Sequence, residues 1–319
     1  GKSGKSIAGN LPENGMVHSI VQDHVDPKLL FVGTEFGVFF TRDEGENWTR
    51  LKAGIPTIAC RDLEIQRAEN DLVVATFGRS FYVLDDYTPL RGLEPDDLEA
   101  EATIYPVADA LLYVPATPIG DSGQGSQGDA FYTAQNPPFG AVITYRLKEG
   151  LKSREEKRHE FESKRVEDDE DVGYPSWEEL RLEDREQDPA VVLTIRDSAG
   201  DVVRRIDGDT GAGLHRAAWD LRYPYTGPIR LERSGPRNPW DTEPAGPFTT
   251  PGTYTVTLSQ RVDGVETALA GPVEFATKLL DVSSTPARDF SLTVEFQRQA
   301  AELYRVVQGA GRTASDAQE

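Results

Sequence analysis

Thr41-Arg42-Asp43-Glu44-Gly45-Glu46-Asn47-Trp48 is the stretch whose spacing decides how the chain is read. An aspartate here can accept backbone N–H bonds across a tight turn. A glycine two positions on can take positive φ, and a tryptophan three further on can pack beneath the loop. Thr41, Asp43, Gly45 and Trp48 are therefore expected to build a structural hairpin turn. With its carboxylate used by the turn, Asp43 has no catalytic part to play.

The surrounding pattern recurs 42 positions later: Leu30-Phe31-Val32-Gly33-Thr34 aligns without a gap on Leu72-Val73-Val74-Ala75-Thr76, and Asp43 falls on Asp85. A period near 40 residues with several short β-rich runs per unit is that of a propeller blade of about four strands. The first unit offers runs at 17–22, 29–34, 37–41 and 48–51; the second offers 62–66, 72–76 and 80–84. The second copy has Asp85-Asp86-Tyr87-Thr88-Pro89 in place of the glycine and tryptophan of the turn, which suits a degenerate last blade. Closed propellers use about 4–8 blades, so the chain is expected to be the C-terminal piece of a longer protein whose upstream blades complete the ring.

At 319 residues there is room for two or three domains. The net charge of −20 argues against nucleic acid and anionic membrane as partners, since both require a basic patch. Neither a signal peptide nor an apolar run long enough to span a membrane is present in the sequence. Cys60 is the single cysteine, so no internal disulfide can form and a cysteine zinc site is excluded. It reads as a small buried hydrophobe. No calcium-loop pattern occurs, and no metal or cofactor is expected.

Beyond Pro89 the repeat ends. Runs at 103–107 and 111–114 read as short strands, and 115–129, rich in Gly, Pro, Ser and Gln, reads as a flexible linker. Strands are then expected at 141–147, 191–196, 202–206, 217–221, 253–259 and 273–277, broken by Gly/Pro turns in the manner of an immunoglobulin-like β-sandwich. Charged helices interrupt it: 151–165 is dense in Glu, Lys and Arg at i,i+4 spacing, and 176–182 opens with Ser176 and Glu179 as a capping box. In 289–308, Phe296, Ala300, Leu303 and Val307 follow helical spacing, and the tail after Gly309 reads as disordered. That helix is expected to pack on a partner beyond Glu319. The partition is thus 1–92 terminal blades, 93–130 connecting strands and linker, 131–280 sandwich with an insertion at 148–187, and 281–319 helix and tail. The fold class is mainly β: last blades of a β-propeller, an immunoglobulin-like sandwich with a charged helical insertion, and a C-terminal helix.

Thr41 to Trp48 fits S/T-x-D-x-G-x-x-W, the Asp-box of sialidase-like and sortilin-like propellers. With 17–24, 30–37 and Asp85-Asp86-Tyr87, it makes the chain resemble the C-terminal part of large bacterial sortilin-like, Asp-box (BNR) propeller proteins, often labelled glycosyl hydrolase-like. Residues 193–200, 213–220 and 251–256 resemble the immunoglobulin-like domain of the flagellar-hook-capping protein. That resemblance implies that Trp219 fills the sandwich core and Gly252 supplies a turn. Together the resemblances imply an extracellular or periplasmic protein.

Candidate chemistry is sparse. Gly4-Lys5-Ser6 has the end of a phosphate loop but lacks its helix. His18 and His24, with Asp23 and Asp26 near, have no metal-ligand spacing. Asp62, Glu64, Asp85 and Asp86 lie near blade edges, and glycoside cleavage needs two facing carboxylates about 5–9 Å apart. Among 54 acidic residues no pair is singled out, so the catalytic residues, if there are any, stay unassigned. Three readings follow: a binding or scaffold role toward a peptide, protein or glycan; a glycoside hydrolase whose paired acids lie mainly in upstream blades; and a structural part of a larger assembly.

Overall fold

The computed structural model describes residues 4–52, 54–115, 134–227, 245–280 and 289–317. These form two compact units, Gly1–Glu99 and Ala100–Glu319. Strands dominate, and the protein is mainly β.

In the first unit, β1 (Val17–Gln22), β2 (Leu30–Thr34), β3 (Gly37–Thr41) and β4 (Thr49–Leu51) form one antiparallel meander. β5 (Cys60–Gln66), β6 (Asp71–Thr76) and β7 (Phe81–Leu84) form a second. Alternation along the strands fixes the faces. Phe31 and Val38 point to an interior shared with Leu63, Ile65, Leu72 and Val74 of the second sheet. Leu30, Val32 and Phe39 point the other way, onto Trp48 and Leu11. Cys60 is wholly buried in the shared interior, where desolvation raises its thiol pKa, so it packs as an apolar side chain. Gly33 is needed where the sheets approach: a Cβ there would stand 2.6 Å from the Cys60 carbonyl oxygen. No helix forms over residues 4–15, so the strand-loop-helix context of a phosphate loop is missing. The unit ends in a short helix, α1 (Pro95–Glu99).

The second unit packs two sheets on one core. One sheet has the order β13-β10-β8, from β8 (Ala102–Ile104), β10 (Ala141–Leu147) and β13 (Gly213–Trp219). The other has the order β12-β11-β14-β15-β9, from β9 (Ala110–Leu112), β11 (Ala190–Asp197), β12 (Val202–Gly208), β14 (Gly252–Val262) and β15 (Val265–Leu279). β9 joins β15 in parallel; the other pairings are antiparallel. Ile143, Tyr145, Leu193, Ile195, Val256 and Trp219 meet in the core between the sheets. The Trp219 ring stands edge-on to Tyr254 at 5.1 Å, and its N–H donates to the Arg222 carbonyl.

Several expectations need amendment here. The runs at 253–259 and 273–277 are parts of one long hairpin, turned by Asp263 and Gly264, both at positive φ. Gly252 is the first residue of β14 and follows the bend at Pro251 that leads the chain into that strand. The stretch 93–130, read as connecting strands and linker, contributes β8 and β9 to the sandwich sheets; its Gly/Pro/Ser-rich part at 116–130 lies outside the described residues. The segment after Gly309 is helical, because α4 (Phe290–Asp316) runs through both Gly309 and Gly311.

The insertion holds α2 (Arg154–Glu167) and α3 (Trp177–Arg185). Each begins with a complete capping box, Ser153 with Glu156 and Ser176 with Glu179. Neither buries a residue. Ion pairs tie them instead: Arg158 to Glu183 at 2.7 Å, and Arg154 to Glu186 and Asp263.

Candidate functional site

Two β-bulges in the first unit generate its most distinctive surface. β1 slips register between Val17 and Ser19, and β5 slips between Cys60 and Asp62, so His18 and Arg61 are the extra residues. A bulge re-aims a side chain that strict alternation would send to the opposite face. In β5 the consequence is two successive exposed residues, Arg61 and Asp62, between buried Cys60 and Leu63. The bulges lie side by side. An Arg61 guanidinium nitrogen stands 3.4 Å from His18 Nδ1, and the Ser19 hydroxyl donates to Asp62 Oδ1 at 3.1 Å. The Arg61 guanidinium lies 5.3 Å from the centre of the Phe77 ring, which is 67 % exposed. The His18 Nε2 atom is buried with no hydrogen-bond partner among the described residues. The result is an aromatic face, a cation, a carboxylate and an imidazole on one patch of surface. That set can stack on and hydrogen-bond a polar ligand.

A second constellation brings Asp23, Tyr87, Arg91 and Asn70 together from segments up to 68 residues apart. Arg91 donates to both oxygens of Asp23 (Nε at 2.8 Å, Nη2 at 2.7 Å) and also to Asn70 Oδ1; the Tyr87 hydroxyl donates to Asp23 at 2.6 Å. Burial pushes the Asp23 carboxyl up, but the bonds from Arg91, Tyr87 and the Asp26 N–H outweigh it and hold its pKa at about 2. Burial, followed by the Asp23 hydrogen bond, drives the Tyr87 hydroxyl well above its ordinary value. A tyrosine, a carboxylate and an arginine are also the groups a sialidase needs. Here the Tyr87 side chain is fully buried and its hydroxyl is held protonated, so it cannot serve as a nucleophile. The group is a clasp between the two sheets.

The turn around Asp43 is equally committed. Asp43 Oδ1 accepts from the Thr41 hydroxyl at 2.7 Å and from the Asn47 N–H at 2.8 Å. Burial alone raises the Asp43 pKa; these bonds bring it down to about 2. Gly45 sits at φ +93°. Trp48 is buried, and its indole N–H donates to the Ile7 carbonyl at 2.8 Å. Arg42 reaches the carbonyls of Leu90 and Arg91.

Of the other residues singled out in the sequence, Asp62 belongs to the bulge patch, and Asp86 accepts from the Thr88 N–H and hydroxyl. His24 approaches Asp23 at 3.5 Å. In the second unit, His215 of β13 meets the Gly211 carbonyl oxygen at 2.7 Å. Among the described residues no group of three or more His, Cys, Asp or Glu side chains is placed to hold a metal. In the second unit, a cleft of ≈ 990 Å³ runs between α4 and the sandwich, walled by Val202, Val203, Pro247 and Val294. Arg298 lies over the Tyr223 ring beside it.

Sequence reading missed the bulge patch and the clasp for different reasons. The clasp joins residues with no local spacing, so no sequence signal exists. The bulge at Cys60-Arg61-Asp62-Leu63 does leave one, since two adjacent charges between two apolar residues break strict alternation.

No protein-family model and no curated protein matches the chain. Among solved structures it is similar to PorZ, described as an essential bacterial surface component of the type-IX secretion system of Porphyromonas gingivalis, at 15 % identity and TM-score 0.19. It is also similar to the extracellular domain of BT4673 from B. thetaiotaomicron, at 10 % identity and TM-score 0.19. The matches cover 82 % and 84 % of this chain but only 30 % and 25 % of those proteins. Among the described residues no helix is long and apolar enough to cross a membrane.

Proposed function

We propose that this chain is part of an exported protein, extracellular or periplasmic, that binds a ligand or acts as a scaffold. In this reading the first unit comprises the terminal blades of an Asp-box β-propeller joined to upstream blades of the same protein. The second is an immunoglobulin-like module. Two meander sheets stacked on one core, offset by 42 residues in sequence, support the propeller reading, as does the Asp43 turn.

The observation that carries the binding role is the pair of adjoining bulges, which aims Arg61 and His18 beside an exposed Phe77. The ligand class is a glycan or a peptide, both of which use an aromatic platform with a flanking cation and carboxylate. The second reading, a glycoside hydrolase whose paired carboxylates lie mainly in the upstream blades, gains nothing from Asp23 and Tyr87, which are spent within the clasp.

Glycan and peptide arrays probed with the intact chain test the reading. A ligand should appear whose binding falls at least about fivefold in Phe77→Ala and in Arg61→Ala, the value of one lost stacking contact. A ligand indifferent to both substitutions would move the site elsewhere. Turnover of chromogenic glycosides would restore the enzyme reading.

A further inference from the structure

α4 presents two opposite faces. One packs on the sandwich: Val294 is buried, Ala301 is half-buried, and Arg298 stacks 4.6 Å from the centre of the Tyr223 ring. The other carries Leu292, Phe296, Leu303, Tyr304, Val306 and Val307, all between 53 and 70 % exposed, of which Leu303 and Val306 also border the cleft against the sandwich. Isolated exposed apolar residues are ordinary; six on one side of one helix are a surface made for covering.

The pattern of that side is a heptad repeat. Phe296, Ala300, Leu303, Val307, Ala310 and Ala314 alternate at spacings of four and three, the a and d positions of a coiled-coil seam. Every charged residue of α4 (Glu295, Arg298, Glu302, Arg305, Arg312 and Asp316) falls at position c or f, away from the seam. The flanking e and g positions from 297 to 313 are Gln, Gln, Tyr, Val, Gly and Thr, with no charge at all. In a chain with 34 basic and 54 acidic residues, a helix flank free of charge places no like-charge barrier against an identical copy.

We infer that α4 pairs antiparallel with α4 of a second copy of this chain. The seam is self-complementary in that direction. Reversed on itself, it sets Phe296 opposite Ala314, Ala300 opposite Ala310, and Leu303 opposite Val307. The largest side chain thus meets one of the smallest, as close packing requires. A parallel pair would stack Phe296 on Phe296 and leave Ala310 and Ala314 facing their own copies across gaps. An antiparallel pair also opposes the helix dipoles and closes with two-fold symmetry. This inference concerns a surface apart from the bulge patch and does not depend on the proposed ligand-binding role.

Light scattering of the full 319-residue chain across a dilution series tests it. The parent should run at twice the monomer mass, and Leu303→Glu should run as a monomer with unchanged circular dichroism. Direction is read by oxidation, since Cys60 is buried and leaves no competing surface thiol. The double variant Ala300→Cys with Ala310→Cys should cross-link between chains. Ala300→Cys alone should not, because its two copies would lie about 15 Å apart along the axis. A parent that stays monomeric at all concentrations overturns the proposal. Cross-linking by Ala300→Cys alone, or a dimer that survives Leu303→Glu, overturns it equally.

Discussion

At Asp23, five donors converge on one carboxylate: the N–H groups of Val25 and Asp26, the Tyr87 hydroxyl, and two nitrogens of Arg91. The folded pKa lies below the ordinary 3.8, at about 2. Folding therefore gains from the charged form above pH 4, and that gain is lost as the pH falls from 4 through 2. A shift of this size is worth about 2 kcal/mol. Urea midpoints of the parent should decline over that window, and Asp23→Asn should flatten the decline. The same substitution leaves Arg91 largely buried without its anion, so at pH 7 it should cost about 3 kcal/mol, read by urea denaturation. Gly45 is a separate point of strain. A Cβ at φ +93° would also stand 2.7 Å from the Ile7 carbonyl oxygen, so Gly45→Ala should lose about 2 kcal/mol by the same measure. Neither cost was readable in full beforehand. The glycine was legible because the turn spacing demands positive φ there; the clasp was not, because its members meet only after both sheets have formed.

Among the elements, α2 and α3 depend on their ends. With no buried residue to hold them, the capping boxes and the Arg158–Glu183 pair carry the stability of the insertion. Ser176→Ala should destabilise α3 by about 1 kcal/mol. Hydrogen exchange should quicken over 177–185 while the sandwich strands keep their protection. Equal quickening in β11 and β14 would mean that the insertion also supports the sandwich. The Ser176 box was legible because a serine, a glutamate three residues on and a charged run form a local signal. The strands of the first unit were legible because alternation and turn residues coincide there. The β14–β15 hairpin was only half read, although Asp263-Gly264 is a strong turn signal, because Glu266 and the alanines at 268 and 270 weaken the strand signal that follows. The final turns of α4 were missed since Gly309 and Gly311 lower helix propensity, whereas the seam on either side of them keeps its period.

For the whole molecule, charge sets the response to solvent. A net charge of −20 works against compaction by self-repulsion. Raising salt from about 10 to 150 mM shortens the screening length from about 30 to 8 Å. The melting temperature should therefore rise by a few degrees in differential scanning fluorimetry. A fall would show that surface ion pairs such as Arg154–Asp263 contribute more than the repulsion removes.

The placement of β8 and β9 has a practical corollary for anyone trimming this protein. Composition invites a cut in the Gly- and Ser-rich stretch, but both short strands lie upstream of it and each seals the border of a different sheet. A recombinant product begun at residue 131 would bare the backbone of β10 and β15 along those borders and uncover the interior beneath Ile104 and Leu112. Such a product should precipitate on expression, whereas one begun at Ala100 should stay in solution.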